Sequence, residues 1–422
     1  MDNITPSLEI VSWMGSATWA TYAVGGLLFY ILLCSTLRFN RRDAMLKKYN
    51  FIDRKSLARM TNVEAQAIIS QLAELEFPKT FYTSIQFALF KTYGIPTISS
   101  LLYSTKEFST PENASKRYAD TGVLIQEFSG HHPKSERVLK ALARMNYIHS
   151  RYQKAGKISN ADLLYTLSVF ITEPVGWIDK YEWRCMNDLE ICAIATFWKS
   201  IGDAMGIQYT GHLARSEWTD GLDFYQDIKT WAENYEAEYM LPAKSNKATA
   251  DELVPLILFY VPTSLRNAGT NMVGVLMSDR LRASMMYPTP SQAYYRMADA
   301  IFGLRRFMLR YVALPRPGFM KVRELSDEPD QKTGRLHTNR YVAHPFYNKP
   351  GFFNRWGPEG WFVRLAGGDV PGSKGDLYLP DGYKFEEVGP KSMKNQGLNQ
   401  TKAWEEKLMA ERPAGCPFAF AR

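Results

Sequence analysis

The chain has only six histidines, and one of them occupies a position that suits chemistry. His149 belongs to a stripe of residues spaced four and three apart, which is the spacing of one helix face. The other members of the stripe are Val138, Leu142, Met145 and Tyr152. A histidine there is either a hydrogen-bonded core residue or a neutral imidazole that binds haem iron while the stripe walls the porphyrin. The pattern alone favours the core residue and leaves both interpretations open.

A second pair of residues shares one face of the preceding helix. Arg117 and Thr121 are four residues apart and lie beside the apolar stripe of that helix. The arginine would pair with a haem propionate or a substrate oxygen, and the threonine would hydrogen-bond dioxygen. A solvent-facing arginine and an ordinary helix threonine are the more common explanation of such a pair.

Most other enzyme chemistries leave no motif in the sequence. The chain has no Glu-x-x-His pair, no Gly-x-Gly-x-x-Gly or Gly-x-Ser-x-Gly element and no Walker loop. His131 and His132 precede Pro133 and indicate a turn rather than a metal site. Cys416 is a weak candidate for a thiolate haem ligand, because no haem-thiolate loop surrounds it.

The elements that would position these residues are helices. No sustained two-residue alternation predicts a sheet, so we expect a mainly α-helical fold with a single large domain. Capping residues predict four successive helix starts, at Thr110–Pro111, Ser135, Ser159–Asp162 and Asn187–Asp188. The short apolar segment 253–262 contains two prolines and is interpreted as core.

The N-terminal region predicts a membrane anchor. Residues 19–37 carry no charge and are about as long as the ~20 residues that span a bilayer. A cleaved signal peptide is the alternative, but the segment is long and lacks a basic region before it. Basic residues follow it, which places residues 1–18 in the lumen and the body in the cytosol. Only the Asn3 glycosylation sequon would then be used.

Composition sets the remaining boundaries. We expect a helical domain over 38–315 and a wrapping tail rich in Pro, Gly and aromatic residues over 316–422. The net charge of +8 comes from basic residues mixed with acidic ones, which argues against a nucleic-acid partner. The four cysteines lack disulfide or zinc spacing and are predicted to be reduced.

Several longer stretches carry a resemblance to a known family. The chain resembles the fungal oxygenases of mycophenolic acid biosynthesis that are bound to the endoplasmic reticulum (ER), relatives of the bacterial latex clearing proteins. The stretches that carry the likeness extend over nearly the whole chain and are 87–98, 116–121, 143–152, 162–167, 195–204, 354–358 and 415–418.

The resemblance implies a globin-like helical core and a set of site residues. Latex clearing proteins hold haem b on a histidine followed by a small residue, and His149-Ser150 matches that position. Their distal Arg-x-x-x-Thr pair matches Arg117 and Thr121. The bacterial enzymes tend to have lysine directly before the threonine, whereas this chain has Asp120, which becomes the candidate catalytic base. No residue here is matched to their distal glutamate.

The implied activity is cleavage of a carbon–carbon double bond in a prenyl chain by dioxygen. The natural substrate would be a farnesylated aromatic such as the phthalide intermediate of mycophenolic acid, met at the ER membrane. One alternative is a haem monooxygenase or peroxidase-like enzyme that oxidises a secondary metabolite without cutting it. The other is a non-catalytic, lipid-binding membrane scaffold in which His149 is structural. The sequence does not predict the oligomeric state.

Overall fold

The computed structural model describes residues 8–51, 53–105, 111–412 and 415–418. Helices dominate these residues, and the β pairing among them consists of isolated bridges in the tail. The mainly α-helical fold predicted from the sequence is therefore confirmed. The helices are α1 (Leu8–Tyr49), α2 (Arg54–Leu57), α3 (Asn62–Gln71), α4 (Pro78–Thr92), α5 (Pro96–Ser104), α6 (Pro111–Gly130), α7 (Glu136–Lys154), α8 (Asn160–Tyr181), α9 (Asp188–Ala204), α10 (Gly221–Tyr239), α11 (Lys244–Ile257), α12 (Arg266–Leu276), α13 (Asp279–Ser284), α14 (Gln292–Phe307), α15 (Phe352–Trp356), α16 (Pro358–Leu365) and α17 (Leu398–Glu411).

The core forms where α3, α4, α8, α9 and α10 pack on one another. Their inward faces are apolar and aromatic, and one buried contact is the stacked pair of Phe170 and Trp198, 4.6 Å between ring centroids. At the end of α11, Leu253 and Leu256 are buried as predicted, while Ile257 is exposed. Burial of these large side chains supplies the main driving force for folding.

The predicted helix starts are found where capping chemistry placed them. Ser135 accepts a hydrogen bond from the backbone N–H of Val138, and Asn187 accepts one from Glu190 at the start of α9. Ser159 does the same for α8. Helix α6 begins at Pro111, and its predicted cap, Thr110, lies outside the described residues.

Helix α1 is longer than the predicted span. It runs without a break for 42 residues, and most of its side chains from Trp19 to Leu33 are exposed. Among the described residues, one helix is long and apolar enough to cross a membrane, and it lies here. From Cys34 onward one face becomes buried, with Arg38 and Met45 on it. The helix therefore projects from the domain and continues into it.

The tail, residues 316–412, lies against α6 and α7. Over much of its length it is irregular, and it also contains α15, α16 and α17, of which α17 packs on α7. The buried guanidinium of Arg144 on α7 donates hydrogen bonds to the carbonyls of Val388, Met393 and Gln396, at 2.8 to 2.9 Å. These charge-assisted bonds fix the tail to the helix that carries His149.

Candidate functional site

Helices α6 and α7, which carry the predicted site residues, pack against each other. The Nδ1 atom of His149 is buried and has no hydrogen-bond partner, and neither ring nitrogen bonds to any of the described residues. Leaving a buried polar atom unpaired costs about 1 to 3 kcal/mol. The imidazole is thus not a satisfied core residue in this structure.

Electrostatics link His149 to the facing helix. Burial, and next the nearby positive charge of Arg117, lower the pKa of His149 from its usual range to about 4. The imidazole is therefore neutral at physiological pH, with a lone pair free to bind a metal. The structure places the charge of Arg117 near enough to act on His149.

Thr121 holds the side chain of Arg117 in place. The guanidinium Nη1 donates a short hydrogen bond to the hydroxyl of Thr121, and that hydroxyl donates to the carbonyl of Arg117 at 2.9 Å. Within the part of the chain that the structure describes, Arg117 has no carboxylate partner. A half-buried, oriented cation without an acid beside it is suited to bind an anionic group.

Asp120 has a different environment. Its carboxylate is buried and accepts hydrogen bonds from the Lys116 ammonium and the Tyr347 hydroxyl, both at 2.6 Å. These contacts lead to the tail and not to Arg117 or His149. The structure shows Asp120 as an anchor between α6 and the tail, and its role as a base stays a prediction.

The weaker candidates lie elsewhere. The Cys416 thiol donates to the carbonyl of Ala58. Cys34, Cys185 and Cys192 are thiols. His131 lies in the connection after α6 and contacts Glu127. The Asn3 sequon is outside the described residues.

The observed donor set fits a haem. Among the described residues no three His, Cys, Asp or Glu side chains gather as a site for a bare metal ion. A haem iron needs only one protein ligand, and a haem propionate needs a cation. The unpaired nitrogen of His149 and the unpaired charge of Arg117 supply one of each on facing helices.

A cavity of about 470 Å³ lies on another face of α6, and neither His149 nor Arg117 lines it. It lies between α3, α4 and α6 and is covered by tail residues 321–327. On α6 its wall includes Tyr118 and Gly122, each next in sequence to Arg117 or Thr121. The sequence analysis missed this cavity, although the spacing of Tyr118, Gly122, Ile125 and Gln126 marks one face of α6.

Comparison with known proteins decides the family. The chain is 42% identical over 401 residues, 95% of each chain, to the ER-bound oxygenase mpaB' of Penicillium brevicompactum. It is 39% identical over 387 residues, 92% of each chain, to the ER-bound oxygenase mpaB of the same fungus. The chain belongs to this family of oxygenases. A third member, from Penicillium roqueforti (strain FM164), is 44% identical over 270 residues, which cover 64% of this chain and 91% of that protein.

Membership makes the chain an oxidoreductase that acts on a small molecule. The non-catalytic scaffold is thereby excluded. No protein-family model matches the chain. The names of the relatives also describe them as ER-bound, in keeping with the long apolar helix α1.

Proposed function

We propose that this enzyme is a haem b-dependent oxygenase that cleaves a carbon–carbon double bond in the prenyl chain of a membrane-borne substrate. The observation that carries the proposal is the unpartnered, buried Nδ1 of His149 facing the uncompensated cation of Arg117. The resemblance to latex clearing proteins supports the same two residues. Dioxygen adds across the double bond, and that bond breaks to give two carbonyl fragments, so both oxygen atoms are accounted for.

The residues of the chain have separate tasks. When bound, the haem supplies the iron at which dioxygen is activated. His149 binds the metal as a neutral imidazole, since its lowered pKa leaves it unprotonated. Arg117 holds a propionate or a substrate oxygen, and Thr121 keeps its guanidinium oriented. Because the Thr121 proton is already donated to a backbone carbonyl, we assign this threonine to positioning.

The cavity beside α6 suits a prenyl chain. Its volume lies in the range of roughly 300 to 1,000 Å³ that small-molecule sites occupy. Apolar walls such as Phe81, Leu89 and Trp198 would enclose the isoprenoid, and glutamines at positions 66, 86 and 126 offer a few polar contacts. We therefore propose a farnesylated aromatic as substrate, such as the phthalide intermediate of mycophenolic acid.

We place the enzyme in the ER membrane with α1 across the bilayer and the domain in the cytosol. The charged residues on the two sides of the span support this orientation, since basic residues follow it. Asn3 would then be glycosylated in the lumen. A shift in gel mobility that a glycosidase removes, and that Asn3→Gln abolishes, is the expected result. A protein without that shift would argue for the opposite orientation or an unused sequon, and protease protection of the domain would separate the two.

Haem content tests the site directly. We would record the absorption spectrum and the pyridine haemochrome of the detergent-solubilised wild type, His149→Ala and His212→Ala. His212 is a matched control, because it makes an edge-to-face contact with Trp231 away from α6 and α7. A Soret band that is lost in His149→Ala alone supports the proposal. A folded wild type that takes up no haem after reconstitution would overturn it.

Product mass then separates cleavage from simple oxidation. With a farnesylated phenol and isotopically labelled dioxygen, cleavage gives two carbonyl fragments with one labelled oxygen each. Addition of a single labelled oxygen to an intact chain would instead establish the monooxygenase alternative.

A further inference from the structure

Helix α14 carries an exposed apolar stripe in addition to its buried face. Met297, Ile301, Leu304 and Met308 follow at spacings of four, three and four and are 41 to 64% exposed. On the inner face of the same helix Ala298 is buried and Phe302 packs partly buried against the core. A helix in water usually keeps such a second stripe covered, because exposed apolar area is unfavourable.

The stripe continues into the segment that follows α14. Leu314, Phe319 and Met320 are also exposed, and Phe319 shows 89% of its surface. We call the exposed apolar side chains of residues 297–320 the α14 surface. Several large apolar side chains exposed on one helix face and the segment after it indicate an interaction site more often than a chance exposure.

The contacts of α1 fix the depth of the α14 surface relative to the membrane span. The Tyr30 hydroxyl donates to the carbonyl of Val312 at 2.8 Å, and the Cys34 thiol approaches the same oxygen at 3.5 Å. One turn further along α1, Arg38 donates to the carbonyl of Ala313. The chain after α14 therefore runs alongside the second half of the predicted span.

The depth follows from helix geometry. If the hydrocarbon region ends at Leu37, then Cys34 and Tyr30 lie roughly 5 and 10 Å inside it, at 1.5 Å per residue. Val312, which both side chains contact, must lie at about the same depth. Side chains of α1 donate hydrogen bonds to its carbonyl, so this backbone polar group would not be unpaired in lipid.

The charges around the surface match a headgroup region. Arg296 is exposed on α14 and is next in sequence to Met297 of the apolar stripe. Arg41 pairs with Glu76 at 2.8 Å and donates to the carbonyl of Arg316, where the segment leaves α1. Basic residues beside an apolar stripe are typical of helices that lie in the membrane interface.

From these contacts we infer that the α14 surface is inserted in the cytosolic leaflet, so that the domain is partly embedded in lipid and not only tethered by α1. The inference rests on the proposed membrane span. The tail residues that line the cavity begin at Lys321, directly after Met320, so the inserted surface would lead to the cavity wall. We expect an amphiphilic substrate to enter from this side of the domain.

Depth-dependent fluorescence quenching tests the insertion in the full-length protein. In a Cys185→Ser background, which removes the exposed native thiol, a fluorophore is attached at Leu304→Cys or Phe319→Cys. Leu28→Cys on the exposed apolar part of α1 is the positive control. Leu398→Cys on α17 is the matched control, since Leu398 is 57% exposed and Leu304 is 64% exposed.

The proteins are reconstituted into vesicles that contain a doxyl-labelled phospholipid, with iodide as the aqueous quencher. We expect the lipid quencher to reduce the signal at positions 304 and 319 by roughly half or more, as at position 28, and to leave position 398 unchanged. Iodide should quench position 398 alone.

The other outcomes would overturn the inference in distinguishable ways. Quenching of positions 304 and 319 by iodide, as at position 398, would show that the surface faces water. Protection from both quenchers would mean that protein, such as a second copy of the chain, covers it. Loss of lipid quenching at position 28 would show that α1 does not span the membrane, and this result would not affect the outcome of the haem assays.

Discussion

Two faces of α7 differ in whether their buried polar atoms have hydrogen-bond partners. Arg144 is fully buried, and its guanidinium donates to three tail carbonyls. His149, little more than one turn away, offers a buried nitrogen to no described residue. A buried polar group is expensive unless it is paired, so the first arrangement stabilises the fold and the second weakens it. The difference separates structural polar groups from those kept available for a ligand.

The two faces are also connected. The tail that Arg144 fixes packs on α7 through α17 and on α6 through the Tyr347–Asp120 hydrogen bond. Both helices of the site are thereby held in position from outside. We infer that the tail compensates for the unpaired His149, as surrounding structure commonly does at functional sites.

Among the substitutions that test this comparison, removal of the Arg144 side chain should lower the free energy of unfolding most. Arg144→Met removes three charge-assisted hydrogen bonds, two of them buried, and we expect a loss of roughly 3 kcal/mol or more in the free energy of unfolding. Chemical denaturation of the solubilised protein, followed by tryptophan fluorescence, measures it. Arg144→Lys keeps the charge and some of the bonds and should lose less. A stability like that of the wild type would show that the tail is held by other contacts.

Gly397 lies where the tail contacts α7, and a substitution there tests the same contact through the backbone. Its φ of +72° is unfavourable for other residues, and a Cβ there would collide with the ring of Tyr147 on α7. Gly397→Ala should therefore cost about 2 kcal/mol. Gly176→Ala in α8, where a Cβ meets nothing, should cost nothing. Equal effects of the two substitutions would contradict the close packing seen here.

Asp120 is either a structural polar group, as Arg144 is, or a group available for chemistry, and experiment can assign it. Asp120→Asn weakens the bonds from Lys116 and Tyr347 and should lower stability by about 1 to 2 kcal/mol. Turnover per folded, haem-loaded molecule should stay within a few-fold of wild type. Tyr347→Phe, which leaves the carboxylate intact, should share the stability loss. A fall in turnover of several orders of magnitude in Asp120→Asn alone would identify the catalytic base instead.

Substitution of His149 should have the smallest effect on the free energy of unfolding. In haem-free protein, His149→Leu removes no hydrogen bond, so the free energy of unfolding should change by less than about 1 kcal/mol. Thermal unfolding of the haem-free forms of both proteins checks this. A loss as large as that of Arg144→Met would make His149 a structural residue and erase the contrast between the two faces.

The sequence predicted those parts of the site that depend on local patterns. Capping residues placed the starts of α7, α8 and α9, and the four-and-three spacing put His149 on an inner face of α7. Arg117 and Thr121 followed from spacing together with the family resemblance. Each of these signals lies within a few residues of the feature it predicts.

The tail contacts could not be predicted in this way. The three acceptors of Arg144 lie 244 to 252 residues further along the chain, and all are backbone carbonyls. A carbonyl belongs to every residue, so it leaves no mark in the sequence. The cavity is hidden for a similar reason, because three helices and a tail segment must assemble before it exists.

Helix α1 has a kinetic consequence. It continues from the apolar span into the domain as one unbroken helix, so no flexible linker lets the domain tumble above the bilayer. The enzyme and the proposed membrane-borne substrate would then meet by lateral diffusion in two dimensions. Turnover should follow the mole fraction of substrate in the lipid, and adding inert phospholipid at constant total substrate should slow the reaction by surface dilution.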